Sequence, residues 1–325
     1  MKLGGGLVVP ALLAVSGACW SQGWSPQKNV EIVASSVPGG SLDKTARTME
    51  RILSNSKLVH STLAVMNKAG GGGTIATTYV SQRPGDPHYL LIAGTGMLTN
   101  HILGASKLTY TDFTPIAMLV NDYVVMAVNA ASPIKSGKDL AERLRKNPQG
   151  LAIGFANAFG STRHISTALL IKAFGGNPRE LKTVVFKGSA EAITAVLGGH
   201  IDVVSVGATN ATVHVAAGKM RIIGVGAPQR FAGVLADAPT WKEQGVDLVS
   251  GTWRGIVGPK DLAAAQVAYW ESAIGRMVQT AEWKEELERN YWFNDYMPST
   301  QFRKELEKDY ADTKAVLVDL GLARQ

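Results

Sequence analysis

Two short stretches carry residue types and spacings that could do chemistry. The first is Val37-Pro38-Gly39-Gly40-Ser41-Leu42-Asp43, preceded by Ser36. Pro38 fixes one backbone angle, and two glycines permit a left-handed bend or a close approach of another group. Ser41 stands where it could cap a helix, leaving first-turn N–H groups pointing at whatever occupies the turn. That arrangement receives an anion such as a carboxylate or phosphate. The second stretch is Gly160-Ser161-Thr162, with His164 in the following turn. It offers the same kind of turn. It also offers a different chemistry, since Ser161 and His164 could approach as nucleophile and base on one helical turn.

Each stretch needs a strand before it and a helix after it. Val30 to Ala34 is a short, mostly apolar run that reads as a strand, and Leu42, Ala46, Met49 and Leu53 recur on one helical face. Leu63 to Met66 reads as a second strand, followed by a glycine run that ends in Gly73-Thr74. Tyr89 to Ala93 reads as a third, closed by Gly94-Thr95-Gly96. This alternation predicts an α/β fold with a parallel sheet. Ile116 to Val128 holds two apolar runs split by Asn121-Asp122, read as a crossover into a second domain. There the grammar repeats, with strands at 151–155, 183–186, 203–206 and 222–225. The strand at 203–206 includes Ser205 and runs into Gly207. Near Trp253 the chain returns to the first domain, and Leu262 to Leu320 reads as helical throughout. The expected division is domain I over 22–121 and 252–325, and domain II over 122–251. Two such domains would set two groups of helix N-termini across one cleft.

Composition sets outer bounds. The chain has 325 residues, 46% of them hydrophobic, enough for two ordinary domains. The net charge of +7 is scattered along the chain, so no nucleic-acid partner is expected. Lys2, the apolar run Leu7 to Val15 and the small residues after it predict a secretory signal peptide over residues 1–21, cut after Ser21. A cut before Cys19, leaving a lipid-anchored cysteine, is the alternative, although Val15-Ser16-Gly17-Ala18 matches that pattern poorly. Cys19 is the only cysteine, so a mature chain would have neither a disulfide nor a cysteine metal site.

Several motifs fail. Gly71-x-Gly73-x-x-Ala76 lacks the acidic residue that a dinucleotide site wants about twenty positions on. No nucleophile elbow occurs, and none of the six histidines pair at helical zinc spacing. No cofactor or metal is expected. His164 is read first as a helix-packing residue, Trp253 as a hinge or core anchor, and Asp202 as a turn residue.

An ordered series of short pieces resembles one family. It comprises Pro38-Gly39-Gly40-x-x-Asp43 with Ala46-Arg47, Asn67-Lys68-x-Gly70-x-Gly72-Gly73-Thr74, Phe113-Thr114-Pro115-Ile116, and Gly160-Ser161 with His164. It continues through Phe186-Lys187-Gly188, Gly198-Gly199-x-x-Asp202, Ala217-Gly218-Lys219-x-Arg221, Ala238-Pro239-Thr240, and Trp253-x-Gly255 with Pro259. Together these resemble the extracytoplasmic solute receptors of tripartite tricarboxylate transporters, the Bug family. The resemblance implies a type II periplasmic binding fold, two α/β domains closing over a small carboxylate. It implies a periplasmic, monomeric, non-enzymatic binding protein that delivers its ligand to membrane transporter subunits.

The implied ligand-binding residues are Ser36, Val37, Gly39, Gly40, Ser41, Asp43, Gly73, Thr74, Thr95, Gly160, Ser161, Thr162, His164, Ser205 and Gly207. Backbone amides, hydroxyls and water would do much of the holding, without an arginine clamp. Asp43 would order its loop, since a carboxylate repels a carboxylate. Ser36-Val37 stand where the family often has an aromatic residue and alanine, and Arg254 is a candidate charge partner near the hinge. Two other functions are consistent with the residues: an exported hydrolase using Ser161 and His164, and a ligand-sensing partner of a membrane receptor.

Overall fold

The computed structural model describes residues 23–156 and 158–323. The expected leader over 1–21 and the alternative anchor at Cys19 lie outside the described residues.

The chain opens with strand β1 (Val30–Ala34), helix α1 (Ser41–Asn55), β2 (Leu63–Asn67), α2 (Thr74–Ser81), β3 (Tyr89–Gly94) and α3 (Gly96–Ile102). The apolar face read for α1 is the buried one, with Ala46, Met49, Ile52 and Leu53 fully covered. β4 (Phe113–Asn129) follows as one strand of 17 residues. Beyond it come α4 (Gly137–Lys146), β5 (Ala152–Ala156), α5 (Thr162–Ala173), β6 (Lys182–Phe186), α6 (Ser189–Leu197), β7 (Val203–Gly207), α7 (Ala208–Ala216) and β8 (Met220–Val225). β9 (Gly251–Pro259), α8 (Ala264–Met277), α9 (Ala281–Asn290), β10 (Phe293–Pro298) and α10 (Ser299–Asp319) complete the described chain.

The strand order is β2-β1-β3-β9-β4-β7-β5-β6, with β8 and β10 also paired to β4. The expected parallel pairing holds for β2-β1-β3 and for β6-β5-β7. β4 and β9 run antiparallel to their neighbours. β4 is the shared element: up to Tyr123 it pairs with β9, and from Val124 onward with β7. One continuous strand therefore links two sheet regions, and Asp122 sits at the changeover.

The sheet regions have separate cores. Trp270, Trp283, Ile32 and Leu90 pack together on one side, and Val125, Val204, Val206 and Ile193 on the other. The uninterrupted helical reading of the tail is corrected by β10, which pairs antiparallel with β4. Phe293 meets Tyr123 edge-on at 5.3 Å. This pairing is long-range, so local helical spacing could not reveal it.

Candidate ligand-binding site

Ser36 to Asp43 forms a tightly tied loop. Gly39 has φ of +80°, and a Cβ on Gly40 would stand 2.9 Å from Ser36 Cβ. One glycine therefore supplies the left-handed bend and the other the close approach. The expected cap at Ser41 is corrected: α1 begins at Ser41, and the Ser36 hydroxyl accepts the Asp43 N–H at 2.9 Å. The cap reaches in from seven residues earlier, so Ser36 turns towards the helix end.

Asp43 is 1% exposed and orders the loop. Its carboxylate accepts from Gly39 N at 2.8 Å, Asn67 Nδ2 at 2.8 Å and Arg47 Nε at 3.0 Å. Burial pushes this carboxyl upward, but the bonds from Arg47, Asn67 and Gly39 outweigh burial and hold it below the usual carboxylate range.

The second stretch opens α5. Gly160 has φ of +79°, and its N–H donates to His164 Nδ1 at 2.9 Å. His164 is 7% exposed and stacks on Phe155 at 4.8 Å. Burial lowers its pKa to about 4. The Ser161 hydroxyl donates to the Ala156 carbonyl at 3.2 Å. The nucleophile–base pairing is thus corrected: the Ser161 and His164 side chains each bond to backbone, and the imidazole is a poor base at neutral pH. Thr162 Oγ1 lies 2.9 Å from Thr95 Oγ1, joining the two turns directly.

Between these turns lies a cavity of about 500 Å³, within the usual range for small-molecule sites. Of the residues expected to bind ligand, Gly39, Ser41, Thr95, Ser161 and Thr162 line it. The remaining ten predicted residues are not in that lining. Ser36, Gly40, Asp43, Gly160 and His164 shape the two turns from behind. Val37 is exposed. Gly73 lines a separate, smaller pocket, away from the main lining, and Thr74 opens α2 beside it. Ser205 is fully buried, and its hydroxyl donates to the Arg163 carbonyl at 3.2 Å. Gly207 backs Asp122, since a Cβ there would stand 2.4 Å from Asp122 Oδ2.

The cavity is not free of arginine. Arg163, Arg254 and Asp122 all line it. Arg254 is 2% exposed and Asp122 is 5% exposed. Arg254 Nη2 lies 3.6 Å from Asp122 Oδ2, and its guanidinium sits 4.7 Å above the Trp292 ring. Thr209 holds Asp122 Oδ1 through its hydroxyl at 3.2 Å and its N–H at 3.4 Å. Among the described residues, the Arg163 side chain has no hydrogen bond or ion pair. Arg163 Nε, Arg254 Nε and Thr252 Oγ1 are all buried without a partner.

Burial draws Arg163 below the usual arginine range, opposed by the Asp122 charge. Burial does the same to Arg254; Asp122 opposes the shift and the like charge of Arg163 adds to it. A guanidinium does not give up its proton in a protein, so the desolvation appears as a demand for an anion. Lys44, exposed at the mouth, adds a further positive charge.

Residues 46–322 match the model described as tripartite tricarboxylate transporter family receptor. The chain belongs to this family. A curated relative, the UPF0065 protein of the tcbD-tcbE intergenic region of Pseudomonas sp. strain P51, is 28% identical over 271 residues, covering 81% of this chain and 78% of that protein. The crystal structure of a TctC solute binding protein from Polaromonas is 25% identical with a TM-score of 0.80, over 91% of this chain and 99% of that one. MatC of Rhodopseudomonas palustris, solved with bound malate, shares the fold at 24% identity and a TM-score of 0.71, over 90% of this chain and 99% of that one. The fold is the type II periplasmic binding fold, and the family is one of solute receptors, not enzymes. Among the described residues no helix is long and apolar enough to cross a membrane.

Arg163, Asp122, Lys44, Thr209, Thr252, Asn290 and Trp292 were missed as site residues by sequence reasoning. One signal was available for Asp122, a charged residue in the middle of a long apolar run. Arg163 carried none, since an arginine in the first turn of a helix is usually solvated.

Proposed function

We propose that the chain is a periplasmic receptor that captures a small organic carboxylate in the cavity between its two sheet regions and delivers it to a membrane tripartite transporter. The observation that carries this reading is the pair of guanidiniums at the cavity wall, that of Arg254 buried and that of Arg163 half-buried, with Asp122 the one acidic lining residue among the described residues. Cavity-lining hydroxyls and the N-termini of α1 and α5 supply further donors suited to carboxylate oxygens. The two-domain division at 121/122 and 251/252 is supported by β4, which changes partner from β9 to β7 beside Asp122, and by β9, which begins at Gly251 opposite Tyr123. Closure would be favoured by ligand through contacts available only when both sides meet it.

Thermal unfolding of the ligand-free protein against mono-, di- and tricarboxylates tests the reading. A carboxylate at a hundredfold excess over its Kd stabilises by about 2.7 kcal/mol, a rise of about 5 °C in a chain of this size. Arg163→Met should shrink the rise, leaving the weaker binding that Arg254, the hydroxyls and the helix N-termini support. If neutral sugars or amines raise the midpoint and no carboxylate does, the cavity does not read negative charge and the proposal fails.

A further inference from the structure

Resting on the carboxylate reading above, we infer that Asp122 is the charge-selectivity residue of the cavity: it cancels one of the two guanidiniums on the inner wall, so that this wall accepts a single carboxylate group. Two observations on different elements converge on it. Arg163 on α5 has no partner among the described residues, and its Nε is buried. Arg254 on β9 reaches Asp122 only at 3.6 Å, longer than a hydrogen bond, and it meets Thr45 Oγ1 only at 3.5 Å. Most of its donors therefore remain unspent.

Asp122 is held in place from two sides. Thr209 bonds to Oδ1, and the absent side chain at Gly207 leaves room for Oδ2. Thr209 occupies Oδ1, and Oδ2 faces Arg254 across 3.6 Å; the wall around it stays net positive and so disfavours a ligand ammonium. The charges of Arg163, Arg254 and Asp122 sum to one positive, the charge that one carboxylate balances. Further anionic groups on a ligand must turn towards Lys44 and the helix N-termini. The site thus favours an amine-free acid with one carboxylate inward over an amino acid or a compact polyanion.

The test is calorimetric titration of the mature protein with butyrate, glutarate, glutamate and tricarballylate. Removing the Asp122 charge adds one positive charge to the inner wall, worth about tenfold per extra ligand charge at the low effective dielectric of such a site. Asp122→Asn should therefore raise the tricarballylate-to-glutarate affinity ratio about tenfold. Arg163→Gln should lower the same ratio, and the double variant should return it close to the wild-type value. Wild type should bind glutarate at least tenfold more tightly than glutamate. If Asp122→Asn does not fold, Asp122→Ser, which also removes the charge, carries the test with the same sign. An unchanged ratio in folded variants overturns the inference and leaves the carboxylate function standing. So does tighter binding of glutamate than of glutarate by wild type. Failure of wild type to bind any of the four acids overturns the function reading, and the inference with it.

Discussion

Asp43→Asn is the sharpest probe of how the first turn is built. The carboxylate receives three donors: Gly39 N and Asn67 Nδ2 at 2.8 Å, and Arg47 Nε at 3.0 Å. Asparagine keeps one acceptor oxygen and sets an NH2 against a donor on the other side. A bond to a buried charged acceptor is worth about 1.5–3 kcal/mol. The Arg47 side chain is 55% exposed, so its contribution is discounted to about 0.5 kcal/mol. The two remaining donors bring the expected loss to about 3 kcal/mol. In a chain of this size that is a fall of about 6 °C in Tm.

Urea unfolding followed by tryptophan fluorescence reads this as a lower midpoint at unchanged slope. The pH dependence has a fixed sign. The folded carboxyl lies below its ordinary value, so its stabilisation is fully present above about pH 4 and is lost as pH falls through the folded pKa. The gap between wild type and Asp43→Asn should close in acid. In a double-mutant cycle Asp43 should couple more strongly to Asn67 than to Arg47. A loss under about 0.5 kcal/mol at pH 7 would refute the idea that this carboxylate holds the turn.

Three other perturbations separate the parts of the site. Gly207→Ala places a methyl 2.4 Å from Asp122 Oδ2, so it should cost about 2 kcal/mol in urea unfolding and weaken carboxylate binding in titrations. Thr95→Val removes the hydroxyl that meets Thr162 at 2.9 Å, and calorimetry should show a loss of affinity of about fivefold with the fold intact. His164 has a folded pKa of about 4, below its unfolded value, so its neutral form stabilises the fold above about pH 6.5. That stabilisation, about 3 kcal/mol, is lost as pH falls from about 6.5 to about 4, and urea midpoints of His164→Gln should lack this component of the slope.

What was legible in the sequence was whatever local spacing determines. The strand–glycine–helix units at 30–55 and 152–173 were readable because the turn and the apolar stripe lie within one short stretch. The loop-ordering role of Asp43 was readable for a different reason: electrostatics excludes a carboxylate from touching a carboxylate. The cap from Ser36 was not, because it reaches in from seven residues before Asp43, outside the local capping pattern, and the strand β10 and the arginine pair were not, because each depends on partners far away along the chain. Arg163 and Arg254 meet only because α5 and β9 are brought together around β4.

Asp122 is the instructive case. Asn121-Asp122 interrupts an apolar run of a length that forms a buried strand, and interruption was read as separation. β4 does not break there. It continues as one strand of 17 residues and carries a 5% exposed carboxylate in its middle. A charge in the interior of a buried strand is costly unless something charged meets it. The residue types therefore contained a demand for a buried cation, though not its position in the chain. Once Arg254 lies opposite, the same rule applies again to Arg163, which has no such partner among the described residues. The unmet charge is then the cavity's own requirement for a ligand, and it follows from a strand that did not end where its apolar run did.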